Sequence, residues 1–143
     1  MERFEYPVSL KPAAEGGYIV TCRDLPAVIT QGESKEDALV QAADAMDEAF
    51  ATIMKLGLAF PAPGNPRRGE RLLSPPVETV AKAALHSTMR DSNISKAQLA
   101  RRLGVDEKEV RRLLDPHYRS KLPRIAEAIA LLGKRLVLSL ENA

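Results

Sequence analysis

From residue 4 to residue 11 apolar and polar positions alternate with a period of two, the repeat of a half-buried strand. Phe4, Tyr6, Val8 and Leu10 share one face of a first strand over residues 4–11. Pro7 has no amide donor, which predicts that its side of the strand is free of ladder pairing, as at a sheet edge. Glu15-Gly16-Gly17 is a turn signal, and Tyr18–Cys22 after it is rich in β-branched and aromatic residues, so the pair reads as a hairpin. Cys22 reads as a small apolar strand residue. A third strand is expected at residues 27–31, after a turn at Asp24-Leu25-Pro26.

The repeat then lengthens to that of a helix. Ser34 is a good N-cap, and Glu36 and Asp37 in the first turn complement the helix dipole. Leu39, Ala42, Ala43, Met46, Phe50, Ile53 and Met54 recur at helical spacing and form an apolar face expected to lie on the sheet. Gly57 ends this helix, and residues 58–61 read as a short returning strand. Pro61, Pro63, Gly64, Asn65, Pro66, Arg67, Arg68 and Gly69 cannot sustain a helix or a central strand, and Pro75-Pro76 makes a second break. The chain is therefore divided near residue 70, into domains 1–70 and 71–143, with room for a sheet strand to run slightly past the division.

The second half is helical throughout its core pattern. Val77, Val80, Ala81, Ala84, Leu85 and Met89 form the stripe of a first helix after Pro76, with His86 on its surface, ending at Asp91-Ser92-Asn93. Ser95 and Gln98 then have capping-box spacing, with Ile94 and Leu99 as a hydrophobic staple, opening a helix over Lys96–Leu103. Asp106 with Glu109 repeats the box, and Val105 with Val110 repeats the staple, so two capped helices are separated only by Gly104 and Val105. So short a joint needs a left-handed residue at the turn, which Gly104 supplies, and a slim first helix, which Ala100 supplies. This is the spacing of a DNA-binding helix-turn-helix. The second helix, over residues 107–114, directs Lys108, Arg111 and Arg112 outward, where arginine can grip guanine edges or phosphates and lysine phosphates. Lys96 and Gln98 are positioned to touch the DNA backbone, and Arg119 and Lys121 to add phosphate contacts. A further helix spans residues 122–132, stopped at Gly133. Residues 135–140 alternate as a strand with no partner in the same chain, so pairing with a second copy, to give a homodimer or higher homo-oligomer, is expected.

Composition alters this picture once it is split at the linker. Residues 1–70 hold 7 Lys and Arg against 11 Asp and Glu, a net charge of −4, whereas residues 71–143 hold 14 against 8, a net charge of +6. The basic half is the one suited to phosphates and the acidic half to a basic partner. No run approaches the roughly 20 apolar residues of a membrane span, and the start lacks a secretory pattern, so a soluble cytoplasmic protein is expected. Cys22 is the only cysteine, which excludes an internal disulfide and a thiolate cluster. His86 and His117 stand apart from other ligand types, and no glycine-rich phosphate loop occurs, so neither metal nor cofactor is expected.

The chain resembles the HicB-type antitoxins in Tyr6-Pro7-Val8-Ser9-Leu10-Lys11-Pro12-Ala13, Glu15-Gly16-Gly17-Tyr18, Asp24-Leu25-Pro26 and Thr30-Gln31-Gly32-Glu33-Ser34, followed by the alanine-rich helix. The likeness extends over essentially the whole chain, including the C-terminal helix-turn-helix of one branch of that family. It implies an α+β protein, with an N-terminal partial RNase H-like β-β-β-α-β domain and a C-terminal all-helical helix-turn-helix domain with a final dimerising strand. It also implies that the first domain masks a HicA-type toxin that cleaves messenger RNA, while the second binds operator DNA and represses the pair's own operon. Within the matching motifs Tyr18, Asp24 and Pro26 are expected on or near the toxin-facing surface; the alternative has Tyr18 in the core and Asp24-Leu25-Pro26 as a turn only.

Two rival functions remain at this stage. Two-metal nuclease chemistry needs converging carboxylates, and here Glu5 is out of phase with the apolar face while Asp44, Asp47 and Glu48 read as a solvated helix face, so no enzyme is expected. A stand-alone helix-turn-helix regulator with a ligand-sensing N-terminal domain shares the DNA-binding half.

Overall fold

A computed structural model describes residues 2–142. The chain is a mixed α+β protein that divides into two compact units, Met1–Val80 and Ala81–Ala143.

The first unit is a four-stranded antiparallel sheet with one long helix. Strands β1 (Tyr6–Pro12), β2 (Tyr18–Cys22) and β3 (Ile29–Gly32) form a meander, and β4 (Glu70–Leu73) joins on the far side of β1, giving the order β3-β2-β1-β4. Val8 faces Cys22 across the first ladder and Val20 faces Thr30 across the second. In β2 the alternation is that of the sheet, with Val20 and Cys22 buried and Ile19 and Thr21 exposed on the other side, whereas in β1 Tyr6, Pro7 and Val8 are buried in succession. β1 is central rather than an edge. Pro7 is accommodated because β2 pairs with β1 only from Val8 onward.

Helix α1 (Lys35–Lys55) starts where Ser34 Oγ accepts from Asp37 N at 3.0 Å. Its buried side is Ala38, Ala42, Met46, Ala49, Phe50, Ala51 and Met54, so the inward face is centred on alanines; Leu39, Ala43 and Ile53 flank it, half-buried. Small residues here let the helix lie close to the sheet. The approach is closest at Gly32, where an added Cβ would lie 2.5 Å from Ala38 Cα and 2.8 Å from the Asp37 carbonyl carbon.

Residues 58–61 are not the returning strand. Phe60 instead packs its ring 4.7 Å from Phe50 and 5.7 Å from Phe4, and the Pro61 carbonyl accepts the Tyr6 hydroxyl at 2.8 Å, so this segment supplies a core side chain and an acceptor rather than a ladder. The fourth strand comes twelve residues later, and for that reason the unit runs to Val80 rather than ending near residue 70. The shift leaves the charge split at −4 and +6, because Arg71 and Glu78 cancel.

Burial, reinforced by the charges of Asp24 and Cys22, pushes the Tyr6 phenol up to about 12. In the folded chain the phenol therefore stays neutral between its usual value near 10 and about 12, a window in which the unfolded chain ionises. Stability is expected to fall as pH rises through that window. In Tyr6→Phe the part of the alkaline loss due to this phenol disappears, which chemical denaturation at stepped pH measures, leaving the part due to Cys22, whose thiol is also raised by burial.

The second unit contains most of α2 (Val77–Ser92), then α3 (Lys96–Leu103), α4 (Glu107–Leu113) and α5 (Leu122–Leu131). Its core joins Ala81, Leu85 and Met89 of α2 with Leu99, Val110, Leu113, Ile125 and Ile129. His86 is buried, not on the surface. Residues 135–140 form no strand within the single chain; Leu136 leans on the core, while Val137, Leu138 and Leu140 are exposed.

Candidate functional site

In the second unit the two short helices are built as their caps demand. Ser95 Oγ accepts from Gln98 N at 3.1 Å and Gln98 Oε1 accepts from Ser95 N at 2.8 Å, a complete capping box. α3 ends at Gly104, whose φ of 70° is left-handed, with Val105 N donating to the Ala100 carbonyl at 3.0 Å. α4 follows at once, with Asp106 Oδ1 accepting from Glu109 N at 3.0 Å. Here the box is only half made, because the Glu109 carboxylate faces Arg112 at 3.8 Å. An added Cβ at Gly104 meets nothing within 4 Å, so its cost is conformational. Gly104→Ala is expected to lower the unfolding free energy of this unit by about 1–2 kcal/mol, and Gly104→Asn by less, since asparagine tolerates the left-handed region. Thermal unfolding of both variants checks the order.

Of the seven residues singled out for nucleic acid, Lys121 is exposed as the N-cap of α5, and the other six have the following surroundings. Lys96 and Gln98 are exposed in the first turn of α3, but the Gln98 side-chain oxygen is held in the cap, leaving its amide nitrogen for an outside partner. Lys108 and Arg111 are exposed on α4, and Arg112 is half-exposed. Arg111 lies 3.4 Å from Glu107, a solvent-exposed pair of the kind worth little, so its guanidinium exchanges partners readily. Arg112 stacks its guanidinium over the Tyr118 ring at 5.0 Å. Arg119 is exposed in the loop after α4. A shallow groove brings Lys108 and Arg112 together with Arg124 of α5, a cation that nothing in the local pattern distinguishes from an ordinary solvated arginine.

In the first unit Tyr18 opens β2, opposite Pro12 and Gly32, half-buried with the Lys35 ammonium 5.8 Å from its ring. Asp24 is half-buried, and its carboxylate accepts from Gly64 N at 3.0 Å. Pro26 is exposed. Arg23 completes the attachment of the proline-rich segment: its guanidinium donates to both oxygens of the Glu70 carboxylate, at 3.0 and 3.1 Å, and to the Asn65 carbonyl at 2.6 Å. Hydrogen bonding to Arg23 holds the Glu70 carboxyl below its usual range and in return raises the guanidinium. The linker read from composition is therefore tied to the sheet. The sheet face away from α1 also carries Ile19, Ile29 and Leu72, exposed by 38, 67 and 43%. On α1, Asp47 accepts the Thr79 hydroxyl while Asp44 and Glu48 are exposed; among the described residues no three His, Cys, Asp or Glu side chains group to hold a metal ion, and no helix is long and apolar enough to cross a membrane.

Comparison with known proteins places this geometry in a family. A family model described as the HicB-like antitoxin of bacterial toxin-antitoxin systems matches residues 5–84, which is the first unit and the start of α2. Similar proteins extend over both units. Antitoxin HicB 1 of Photorhabdus laumondii is 33% identical over 141 residues, covering 99% of this chain and 90% of the relative. Antitoxin HicB of Escherichia coli K12 is 35% identical over 133 residues, 93% of this chain and 96% of its own, and antitoxin HicB of Pseudomonas fluorescens is 34% identical over 141 residues, 98 and 96%. The family model over more than half of the chain and the full-length relatives agree: the chain belongs to the HicB-like antitoxins of bacterial toxin-antitoxin systems.

Proposed function

We propose that the first unit binds and blocks a HicA-type toxin that cleaves messenger RNA, and that the second binds operator DNA through a helix-turn-helix and represses the operon encoding the pair. The observation that carries the DNA half is the joint at Gly104: two capped helices meet at one left-handed residue, and the second presents Lys108, Arg111 and Arg112 to solvent in a unit of net charge +6. In this reading α4 enters the major groove, Arg111 and Arg112 reach base edges or phosphates, and Lys96, Gln98, Lys108 and Arg119 hold the backbone.

For the toxin half, the β-β-β-α-β order supports a partial RNase H-like reading, with β4 antiparallel to β1. The net charge of −4 suits a basic, RNA-binding partner, and the exposed apolar residues of the open sheet face suit a dry contact. Tyr18 and Pro26 are proposed contacts, and Asp24 acts beside them by fixing the Gly64 loop. The exposed apolar tail of residues 137–140 is proposed to pair with its copy in a second chain, which matches a two-fold operator.

The test is a fluorescence-anisotropy titration of the full chain against a labelled duplex from its own promoter and a scrambled duplex of equal length. The promoter is expected to bind tighter by a factor on the order of 10³, with affinity falling steeply as salt rises. Equal binding to both duplexes would remove the operator reading.

A further inference from the structure

Lys82 lies in the middle of α2, yet its side chain has no measurable exposure. A buried ammonium is costly unless its protons are all matched. Here they are more than matched. Lys82 Nζ donates to the Arg112 carbonyl at 2.9 Å, the Asp115 carbonyl at 2.7 Å, the Tyr118 carbonyl at 2.6 Å and Ser120 Oγ at 2.8 Å. These acceptors belong to the C-terminal end of α4 and to the loop that follows it. α4 is seven residues long, and a positive charge at a helix C-terminus meets the end carbonyls and the negative end of the dipole.

Within the loop, Tyr118 N donates to the Asp115 carbonyl at 3.0 Å, and the Asp115 carboxylate accepts from His117 N at 2.9 Å. The Lys82 ammonium thus joins the helix end to the loop from inside, and it lies 6.0 Å from the centre of the Tyr118 ring over which Arg112 stacks. The next residue in the chain is Arg119.

We propose that Lys82 is a positioning residue for DNA recognition: from inside the unit it sets α4, with Arg111 and Arg112, in register with the loop carrying Arg119, so that both segments reach the duplex together. Lys82 touches no DNA itself. The inference rests on the DNA-binding reading above and adds the residue that organises it.

The test compares full-length Lys82→Met with Ile125→Ala, a core truncation in α5 chosen to give a similar loss of melting temperature, both well below their melting points. If Lys82 positions the cations, Lys82→Met binds the promoter duplex at least tenfold more weakly than Ile125→Ala, and its salt slope drops by about one phosphate contact. In the NMR spectrum of the free protein, the Arg112 Nε–H resonance also loses the ring-current shift imposed by Tyr118. Equal affinity, slope and Arg112 resonance in the two variants would reduce Lys82 to a stabilising residue and overturn the proposal. Should Lys82→Met fail to fold, Ser120→Ala, which deletes one of the four partners, carries the same comparison with a smaller loss expected in the same direction. Wild-type protein that ignores the promoter duplex while keeping the Arg112 shift would count against the DNA-binding reading instead, and the positioning role would fall with it.

Discussion

Replacing Arg111 and Arg112 together with alanine is expected to weaken promoter binding by about two orders of magnitude while toxin neutralisation is unchanged. Each arginine that makes paired contacts to a base edge contributes about 1–3 kcal/mol, and tenfold in affinity corresponds to about 1.4 kcal/mol. Neither guanidinium anchors the fold: Arg111 pairs with exposed Glu107, and Arg112 with Glu109 and the Tyr118 ring. Melting temperature should therefore change little. Anisotropy titration and a growth assay with the partner toxin read the two functions separately. Loss of both would mean that the units do not divide the work as proposed.

The second large effect lies in the other unit. Gly32→Ala is expected to destabilise the sheet unit by about 3 kcal/mol, at the upper end for an overpacked site, because the new Cβ meets backbone atoms of Asp37 and Ala38 that cannot swing aside. Either α1 lifts from β3 or the strand end peels away. Toxin neutralisation should fail at growth temperature while the core of the second unit, which contains none of these residues, keeps its protected amides. Hydrogen exchange resolves the two units, and loss of protection in both would contradict this separation.

How much of this was legible in the chain depended on whether a signal was local. The boundaries of α3 and the start of α4 follow from capping side chains three residues from their partners, and both caps form where the spacing put them. The α1 start at Ser34 is the same case. β4 is the strand that the division near residue 70 allows to run past it without placing, because Glu70-Arg71-Leu72-Leu73 has no alternation of its own and becomes a strand only through β1, more than sixty residues earlier. Residues 58–61 are more apolar and have the pattern of a short strand, yet Phe60 is drawn into the Phe4, Phe50 and Tyr6 cluster.

The same division holds for the candidate site. Lys108, Arg111 and Arg112 follow from helical phase once α4 is located, and all three lie on accessible surface. Lys82 does not, since a lysine within an amphipathic helix reads as solvated and its acceptors, three backbone carbonyls and the Ser120 hydroxyl, lie 30 or more residues away. Asp24 sits between the two readings offered for it: it is part of a turn, and it also anchors Gly64 and so shapes the surface beside Pro26. The alternation of residues 135–140 is present in the sequence but unused within one chain, as an unpaired strand must be.

The most direct measurement is to co-express the full chain with the product of its neighbouring gene and to follow both the growth of the cells and the composition of the purified complex. An antitoxin with this division of labour predicts arrested growth with the neighbour alone, restored growth with the pair, and a stable complex that Arg111→Ala/Arg112→Ala preserves and Gly32→Ala loses. A neighbour that is harmless when expressed alone and fails to co-purify with the chain would contradict it.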